Sequence, residues 1–75
     1  MNLDCTGQRC PQPVIALARA VKAMRSGEVV QITTDDPAAA VDIPAWCRMR
    51  RHECSVTAEC GGTVTHTVIV RVTNG

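Results

Sequence analysis

The stretch CPQPVIALARAVKAMRSGEVVQITTDDP, residues 10–37, decides the fold, because its apolar spacing changes within it from helical to alternating. The first half repeats apolar residues every three or four positions and carries basic residues on the other side, which predicts an amphipathic helix beginning at Pro11. Ser26 and Gly27 supply the stop signal for that helix, since glycine tolerates the left-handed turn that ends many helices. Residues 28–33 then predict a strand. The apolar positions of the helix are Val14, Leu17, Ala18, Val21 and Met24.

The end of this stretch predicts the start of a second helix. Asp36 is a preferred N-cap residue, and Pro37 suits the first helical position. We expect this helix to run from about Pro37 to Arg50. Pro44 lacks a backbone donor, so we expect either a kink there or a first turn that is separate from the helix proper.

Strand patterns flank the two helices. Residues 2–5 predict a short strand, and two alternating segments after the second helix predict a hairpin that turns at Cys60-Gly61-Gly62. The order is therefore β-α-β-α-β-β in one domain, residues 1–75. We predict an α/β two-layer sandwich in which two helices cover one face of a four-stranded mixed sheet. The expected inward positions of the hairpin are Cys54, Val56, Ala58, Val64, His66, Val68, Val70 and Val72.

Composition excludes several classes of protein. The chain has 75 residues, of which 45% are hydrophobic and 20% charged, which is typical of a small globular domain. A net charge of +1 and a single aromatic residue argue against direct nucleic-acid binding. No apolar run is long enough to span a membrane, and the first residues lack the features of a signal peptide. We therefore expect a cytoplasmic protein with reduced thiols, since its five cysteines show no paired spacing.

The chemistry of the chain concentrates at Arg9-Cys10-Pro11-Gln12-Pro13. We predict that Cys10 lies at the N-cap of the first helix, where free N–H groups and the positive end of the helix dipole favour a thiolate. Arg9 adds a nearby positive charge, and Pro11 and Pro13 stiffen the turn so that the thiol points outward. We therefore expect a Cys10 pKa below the ordinary thiol value. The alternative is a structural cysteine that happens to cap a helix.

The remaining thiols and imidazoles have simpler interpretations. Cys47 and Cys54 are expected to pack in the core, and Cys60 is expected to be an exposed extra thiol in the turn. Cys5 is close enough in sequence to form a resolving disulfide with Cys10. The cysteine spacings match no common zinc pattern, so we expect no metal site. His66 is expected to be a hydrogen-bonded strand histidine, and His52 to complement the dipole at the end of the second helix.

Several short motifs, in this order and spacing, resemble the TusA/SirA-like sulfur carriers. The resemblance implies a β-α-β-α-β-β sandwich similar to the C-terminal domain of a translation initiation factor, and a persulfide carried on Cys10. It also implies protein partners that donate or accept that sulfur, such as a cysteine desulfurase, a rhodanese or a DsrE-like protein, and no cofactor. The matching motifs are Leu3-Asp4, Gly7, Cys10-Pro11-x-Pro13, Gly27-Glu28, Asp35-Asp36-Pro37, Asp42-Ile43-Pro44-x-Trp46-Cys47 and His52-Glu53.

Two positions depart from the family pattern. Members usually have glycine where this chain has Arg51, so we expect the second helix to end differently here, because a left-handed end without glycine costs about 1–2 kcal/mol. Many members have a basic residue where this chain has Val41. A partner contact made through that basic residue would be absent.

The sequence therefore predicts a sulfur carrier that acts through a persulfide on Cys10, by thiol exchange. Whether it also counts as a sulfurtransferase enzyme stays open. Asp36, Arg9 and the helix face bearing Arg19 and Lys22 are candidates for the surface that partners contact, although Asp36 also suits a simple N-cap.

Two alternatives stay open beside the carrier. A thiol redox sensor would use Cys10 with a resolving cysteine, most plausibly Cys5. A regulatory or RNA-contacting protein would instead use the basic residues Arg48, Arg50 and Arg51, and would not need Cys10.

Overall fold

The computed structural model describes residues 1–71 and confirms the predicted order of elements and the mixed sheet. The four strands form one sheet in the order β1-β2-β4-β3, with β1 parallel to β2 and the other two pairs antiparallel. The elements are β1 Asn2–Asp4, α1 Gln12–Lys22, β2 Val29–Thr34, α2 Pro37–Arg50, β3 Glu53–Cys60 and β4 Thr63–Ile69.

The helices cover one face of this sheet. In β2 the side chains of Val30, Ile32 and Thr34 are buried, while Val29 and Gln31, which alternate with them, are exposed. Such alternation arises when helices pack on one side of a sheet and solvent meets the other. The core between the layers is aliphatic, as its composition requires, and is built from Leu17, Val30, Ile32, Ala39, Ile43, Val68 and Val70 together with Cys5, Met24 and Cys47.

Helix α1 begins one residue later and ends several residues earlier than the sequence predicts. Its N-cap is Pro11, which leaves Cys10 one position before the cap, so the prediction of Cys10 as N-cap is wrong. The helix ends at Lys22, and Gly27 instead stands at φ 93° in a separate turn, where Glu28 N–H donates to the Arg25 carbonyl at 3.1 Å. Val70 accepts the Gly27 N–H at 2.7 Å, so this turn is fixed by the sheet and not by the helix.

Helix α2 begins as predicted and runs without interruption through Pro44. Asp36 is its N-cap, with Oδ1 accepting the Ala38 N–H at 3.2 Å. The expected separate first turn is absent, because Ile43 and Cys47 are both buried against the sheet and hold the helix on either side of the proline.

The end of α2 corrects a second expectation. Arg51 adopts the left-handed conformation, φ 64° and ψ 30°, although it is not glycine. The helix therefore ends in the left-handed conformation that glycine usually adopts at this position, and not in a different way as expected. The N–H of His52 donates to the Cys47 carbonyl at 2.8 Å and that of Arg51 to the Arg48 carbonyl at 3.2 Å, which satisfies two of the carbonyls of the last turn.

The hairpin follows the predicted alternation in β4 but not in β3. His66, Val68 and Val70 are buried, whereas Val56 is 50% exposed and Ala58 is exposed, so their prediction as inward residues is wrong. β3 is an edge strand, and a register shift between Val56 and Ala58 disturbs its period of two. The predicted inward residue Val72 lies outside the described residues. Neither helix within residues 1–71 is long and apolar enough to cross a membrane.

Candidate functional site

Cys10 lies half-buried at an open groove between α1 and α2. The groove has a volume of about 250 Å³. The loop before α1 places the cysteine at one wall, and successive turns of α2 form the other. Apart from Cys10, its lining residues are Pro11, Val14, Asp42, Ala45, Trp46 and Met49. Asp42 is the one carboxylate among these mainly apolar side chains, so the groove presents a thiol beside a negative charge on an apolar surface.

Asp36 fixes the backbone at Cys10. The N–H of Cys10 donates to Asp36 Oδ2 at 2.7 Å, while the other carboxylate oxygen caps α2. The hydrogen bond from Cys10 lowers the pKa of Asp36, and the bond from Ala38 and the positive charge of Arg9 act in the same direction. Asp36 is thus both the predicted N-cap and the link that holds the cysteine loop against the second helix.

The Cys10 thiol faces a carboxylate and not the positive end of a helix. Its Sγ donates a hydrogen bond to Asp42 Oδ2 on α2. This bond raises the pKa of Cys10, partial burial adds to the effect, and the negative charges of Asp42 and Asp36 act in the same direction. The expectation of a lowered Cys10 pKa is therefore wrong for the isolated protein. Asp36 is the N-cap of α2 and Asp42 lies within α2, so their contact with Cys10 depends on how the second helix packs and not on closeness in sequence.

Asp42 is the site residue that the sequence argument missed as a functional residue. It falls within one of the matching motifs, but only as part of the resemblance. A signal was present in its helical spacing, because Asp42 shares a face of α2 with Ala45, Trp46 and Met49 and is the charged residue of that face. The spacing alone does not show that this face meets Cys10, since that depends on how α2 packs beside α1.

An exposed apolar strip of α2 borders the groove. We define the α2 strip as Val41, Ala45 and Met49, of which Val41 is 70% and Met49 75% exposed. Trp46 lies beside it, half-buried, with the guanidinium of Arg50 at 6.0 Å from the ring centroid. Exposed apolar side chains next to a reactive group are typical of a surface that another protein covers.

The other predicted site residues divide between the two ends of α1. Pro11 is the exposed N-cap and not the first helical residue as predicted, and Pro13 is buried in the first turn. Arg19 and Lys22 are exposed in the last turn. Arg19 lies seven residues beyond the start of α1, which corresponds to about 10 Å along the axis. These two basic residues are therefore not part of the Cys10 groove.

The remaining cysteines lie away from the groove, and their burial differs. Cys5 is 2% exposed in the core, and this burial raises its pKa. Cys47 is also buried, and desolvation together with the neighbouring Cys54 raises its pKa to about 12. Cys54 is half-buried against the core and Cys60 is exposed in the hairpin, both as expected. Cys10 is the thiol that opens onto the groove.

The two histidines differ from their expected roles. His66 is fully buried, its Nδ1 lies 3.9 Å from Cys54 Sγ, and its Nε2 has no hydrogen-bond partner among the described residues. The expectation of a fully hydrogen-bonded histidine is therefore wrong, because β4 turns the ring into an apolar layer. Burial lowers the pKa of His66.

His52 does not act as a cation at the end of α2. Its Nδ1 accepts the Arg71 N–H at 2.9 Å, and its ring centroid lies 5.4 Å from that of Trp46. Burial and the charge of Arg50 lower the pKa of His52. The imidazole is thus neutral and hydrogen-bonded to the backbone. Within residues 1–71, no three His, Cys, Asp or Glu side chains come together in a group suited to a metal ion.

Comparison with known proteins identifies a family and a similar solved structure. The family model described as Sulfurtransferase TusA matches residues 1–72. The crystal structure of a SirA-like protein from Desulfitobacterium hafniense is similar over 95% of this chain and 97% of that chain, with a TM-score of 0.83 and 21% sequence identity. The structural match supports the four-stranded α/β fold.

Proposed function

The chain belongs to the TusA family, and we propose that it carries sulfane sulfur as a persulfide on Cys10 and relays it between other sulfur-transfer proteins. The family establishes a role related to sulfur carriage or sulfur transfer in general. The observation that supports Cys10 as the carrier is its position: it is half-buried, at an open groove, on a backbone held by Asp36. Cys5 and Cys47 are enclosed by the core, where a donor protein does not reach them.

The proposed loading step is a thiol exchange. Cys10 sulfur attacks the outer sulfur of a donor persulfide, and a new S–S bond forms while the donor's own S–S bond breaks. The electron pair of the broken bond leaves with the donor's inner sulfur, which gains the proton that Cys10 loses. Unloading repeats the step with the next thiol as attacker. No external oxidant or reductant is needed, because the sulfane sulfur keeps its oxidation state.

The partners that we propose are proteins that present a persulfide or a thiol at the end of an exposed loop, of the cysteine desulfurase, rhodanese or DsrE-like kind. Such a loop has to enter the groove to reach Cys10. The α2 strip offers it an apolar surface. Arg9, the residue before Cys10, lines a separate pocket with Asp36 and adds a positive charge near the site. Arg19 and Lys22 are proposed as outlying charges that speed encounter, since they lie at the far end of α1.

The test is mass spectrometry of the reduced protein after brief exposure to a persulfidated rhodanese. Peptide mapping is expected to find one added sulfur atom on the peptide that contains Cys10, and none in Cys10→Ser. Cys60→Ser is the matched control, because it removes an exposed thiol elsewhere and is expected to load normally. Loading of Cys10→Ser at the wild-type level contradicts the carrier assignment. The same spectra detect a Cys5–Cys10 disulfide, which would favour a redox sensor instead.

A further inference from the structure

We propose that Asp42 is a positioning residue that holds the empty carrier in its thiol form, so that Cys10 stays a weak nucleophile until a partner pairs with the Asp42 carboxylate. This inference rests on the proposed function, because it concerns the same cysteine. It adds a role for Asp42, and it requires the partner to bring a group that pairs with the Asp42 carboxylate.

The geometry at Cys10 carries the proposal. Sγ donates to Asp42 Oδ2, and the neighbouring backbone N–H donates to Asp36 Oδ2 at 2.7 Å. The cysteine is therefore held by two carboxylates, one at the N-cap of α2 and one within α2, that accept from two different atoms. A hydrogen bond from S–H to a carboxylate exists only while the sulfur keeps its proton, so it stabilises the thiol over the thiolate.

The other charged groups near the cysteine do not offset this effect. The groups that face it are Asp36 and Asp42 from α2, and both negative charges oppose a thiolate. Arg9, its neighbour in the loop, acts on Asp36. Helix α1 contributes the apolar Val14 to the groove and carries Arg19 and Lys22 at its far end. The empty carrier is thus protected from stray disulfides, which react with thiolates.

Loading removes the contact that protects the thiol. In the Cys10 persulfide, Sγ is bonded to the outer sulfur and has no proton to donate to Asp42. The carboxylate is then a bare negative charge beside a sulfur anion, which favours turning the outer sulfur away from the groove.

The same geometry defines what a donor has to bring. A protein that closes over the groove removes water from Asp42, whose surroundings there are mainly apolar. A buried carboxylate without a partner is strongly unfavourable. We infer that the donor supplies a cationic side chain to Asp42, which both compensates this charge and frees the Cys10 proton.

The test compares Cys10 alkylation in Asp42→Asn with that in the parent, both in a Cys60→Ser background so that Cys10 is the exposed thiol. Asparagine keeps the size and removes the charge. The variant is expected to react with iodoacetamide at pH 7 about threefold or more faster, with a lower pH midpoint, because a charge-assisted hydrogen bond to the thiol is lost. Exchange with oxidised glutathione is expected to quicken in the same proportion. Asp35→Asn is the matched control, since Asp35 bonds the Gly7 N–H and not the thiol.

An unchanged or slower rate in Asp42→Asn overturns the proposal. If that variant does not fold, the pH midpoint of Cys10 alkylation is measured in the parent instead. Cys10 is expected to titrate at higher pH in the folded protein than in the same protein unfolded in urea. Equal midpoints, or a lower folded midpoint, overturn the proposal as well. Neither measurement uses sulfur transfer, so failure of the carrier assignment shows separately, as loading of a cysteine other than Cys10.

Discussion

The backbone N–H of Cys10 and the side chain of Asp36 are joined by a 2.7 Å hydrogen bond that spans 26 residues of sequence. This bond links the loop before α1 to the first turn of α2. Because the same carboxylate also caps α2, the position of the cysteine and the start of the second helix depend on one side chain. Changes at Asp36 therefore affect the stability of the fold and the placement of the thiol together.

Asp36→Asn is expected to separate the two roles of this carboxylate. The amide oxygen still caps α2, but the amide nitrogen is a donor and cannot accept from Cys10. We expect the thermal midpoint at pH 7 to fall by roughly 5 °C. The folded pKa of Asp36 is lowered, so its contribution is present above the ordinary carboxyl value and is lost as pH falls through the folded value.

Thermal unfolding at pH 7 and at pH 3 measures this difference. The difference in thermal midpoint between the parent and Asp36→Asn is expected to be smaller at pH 3 than at pH 7. Glu59→Gln, which removes an exposed carboxylate of β3, is the control and is expected to keep the thermal midpoint of the parent at both pH values. If the difference in thermal midpoint is the same at both pH values, the charge of Asp36 is not what stabilises the parent.

Arg51→Gly is expected to stabilise the protein. Arg51 is in the left-handed region, where a side chain with a Cβ is strained and glycine is not. We expect the free energy of unfolding to rise by about 0.5–1 kcal/mol, after part of the gain is offset by the greater freedom of glycine in the unfolded chain. Urea denaturation measures the change.

Arg50→Gly is the matched control for that substitution. Arg50 is the last residue of α2 and has helical geometry, so glycine there is expected to lower the free energy of unfolding by about 1 kcal/mol. If Arg51→Gly lowers the free energy of unfolding as much as Arg50→Gly does, the left-handed conformation of Arg51 does not strain the folded protein.

His66 is expected to make stability depend on pH. Burial lowers its folded pKa, so below the ordinary imidazole value of about 6.5 the unfolded chain takes a proton that the folded chain does not. The free energy of unfolding therefore falls as pH drops from 7 to 5. In His66→Leu, which also removes the unpartnered Nε2, this slope is expected to be smaller.

Urea titrations at pH 7, 6 and 5 test the slope. Some dependence of stability on pH is expected to remain in His66→Leu, because the pKa of His52 is lowered too and also makes the protein less stable as the pH falls. His52→Asn in the same background is expected to remove most of the rest. An unaltered slope in His66→Leu would mean that His66 takes up its proton as readily in the folded as in the unfolded state.

Replacing Arg19 and Lys22 together by glutamine is expected to slow sulfur transfer from a protein donor without affecting polysulfide loading. Both side chains are exposed and remote from the groove, so they act through long-range attraction. We expect the rate with persulfidated rhodanese to fall and its dependence on salt to weaken. The free energy of unfolding is expected to change by less than about 0.5 kcal/mol.

Stopped-flow transfer at several ionic strengths measures that effect. Arg48→Gln with Arg51→Gln is the matched comparison, because it removes the same charge from the end of α2. If only this second pair slows transfer, the docking surface lies along α2 and not along α1.

Local sequence determined most of the backbone. The change from helical to alternating spacing within residues 10–37 predicted α1, β2 and the start of α2, and the strand patterns on either side completed the β-α-β-α-β-β order, since each period follows from the geometry of one element. Asp36 and Pro37 predicted the start of α2 correctly, because an N-cap bonds within its own turn. Cys10 was found for a similar reason: its neighbours Arg9, Pro11 and Pro13 are adjacent in sequence.

Tertiary structure alone decided the chemistry of that cysteine and the parts of the fold that local patterns predicted wrongly. Asp42 lies 32 residues from Cys10, and the packing of α2 beside α1 turns the expected thiolate site into a thiol held by a carboxylate. Val56 alternates as a core residue should, yet it is exposed because β3 is an edge strand with an irregular register. In each case a residue's surroundings come from a distant segment. The spacing of residues within one segment determines the face of the helix or strand on which a residue lies. It does not determine which other segment, or solvent, that face contacts.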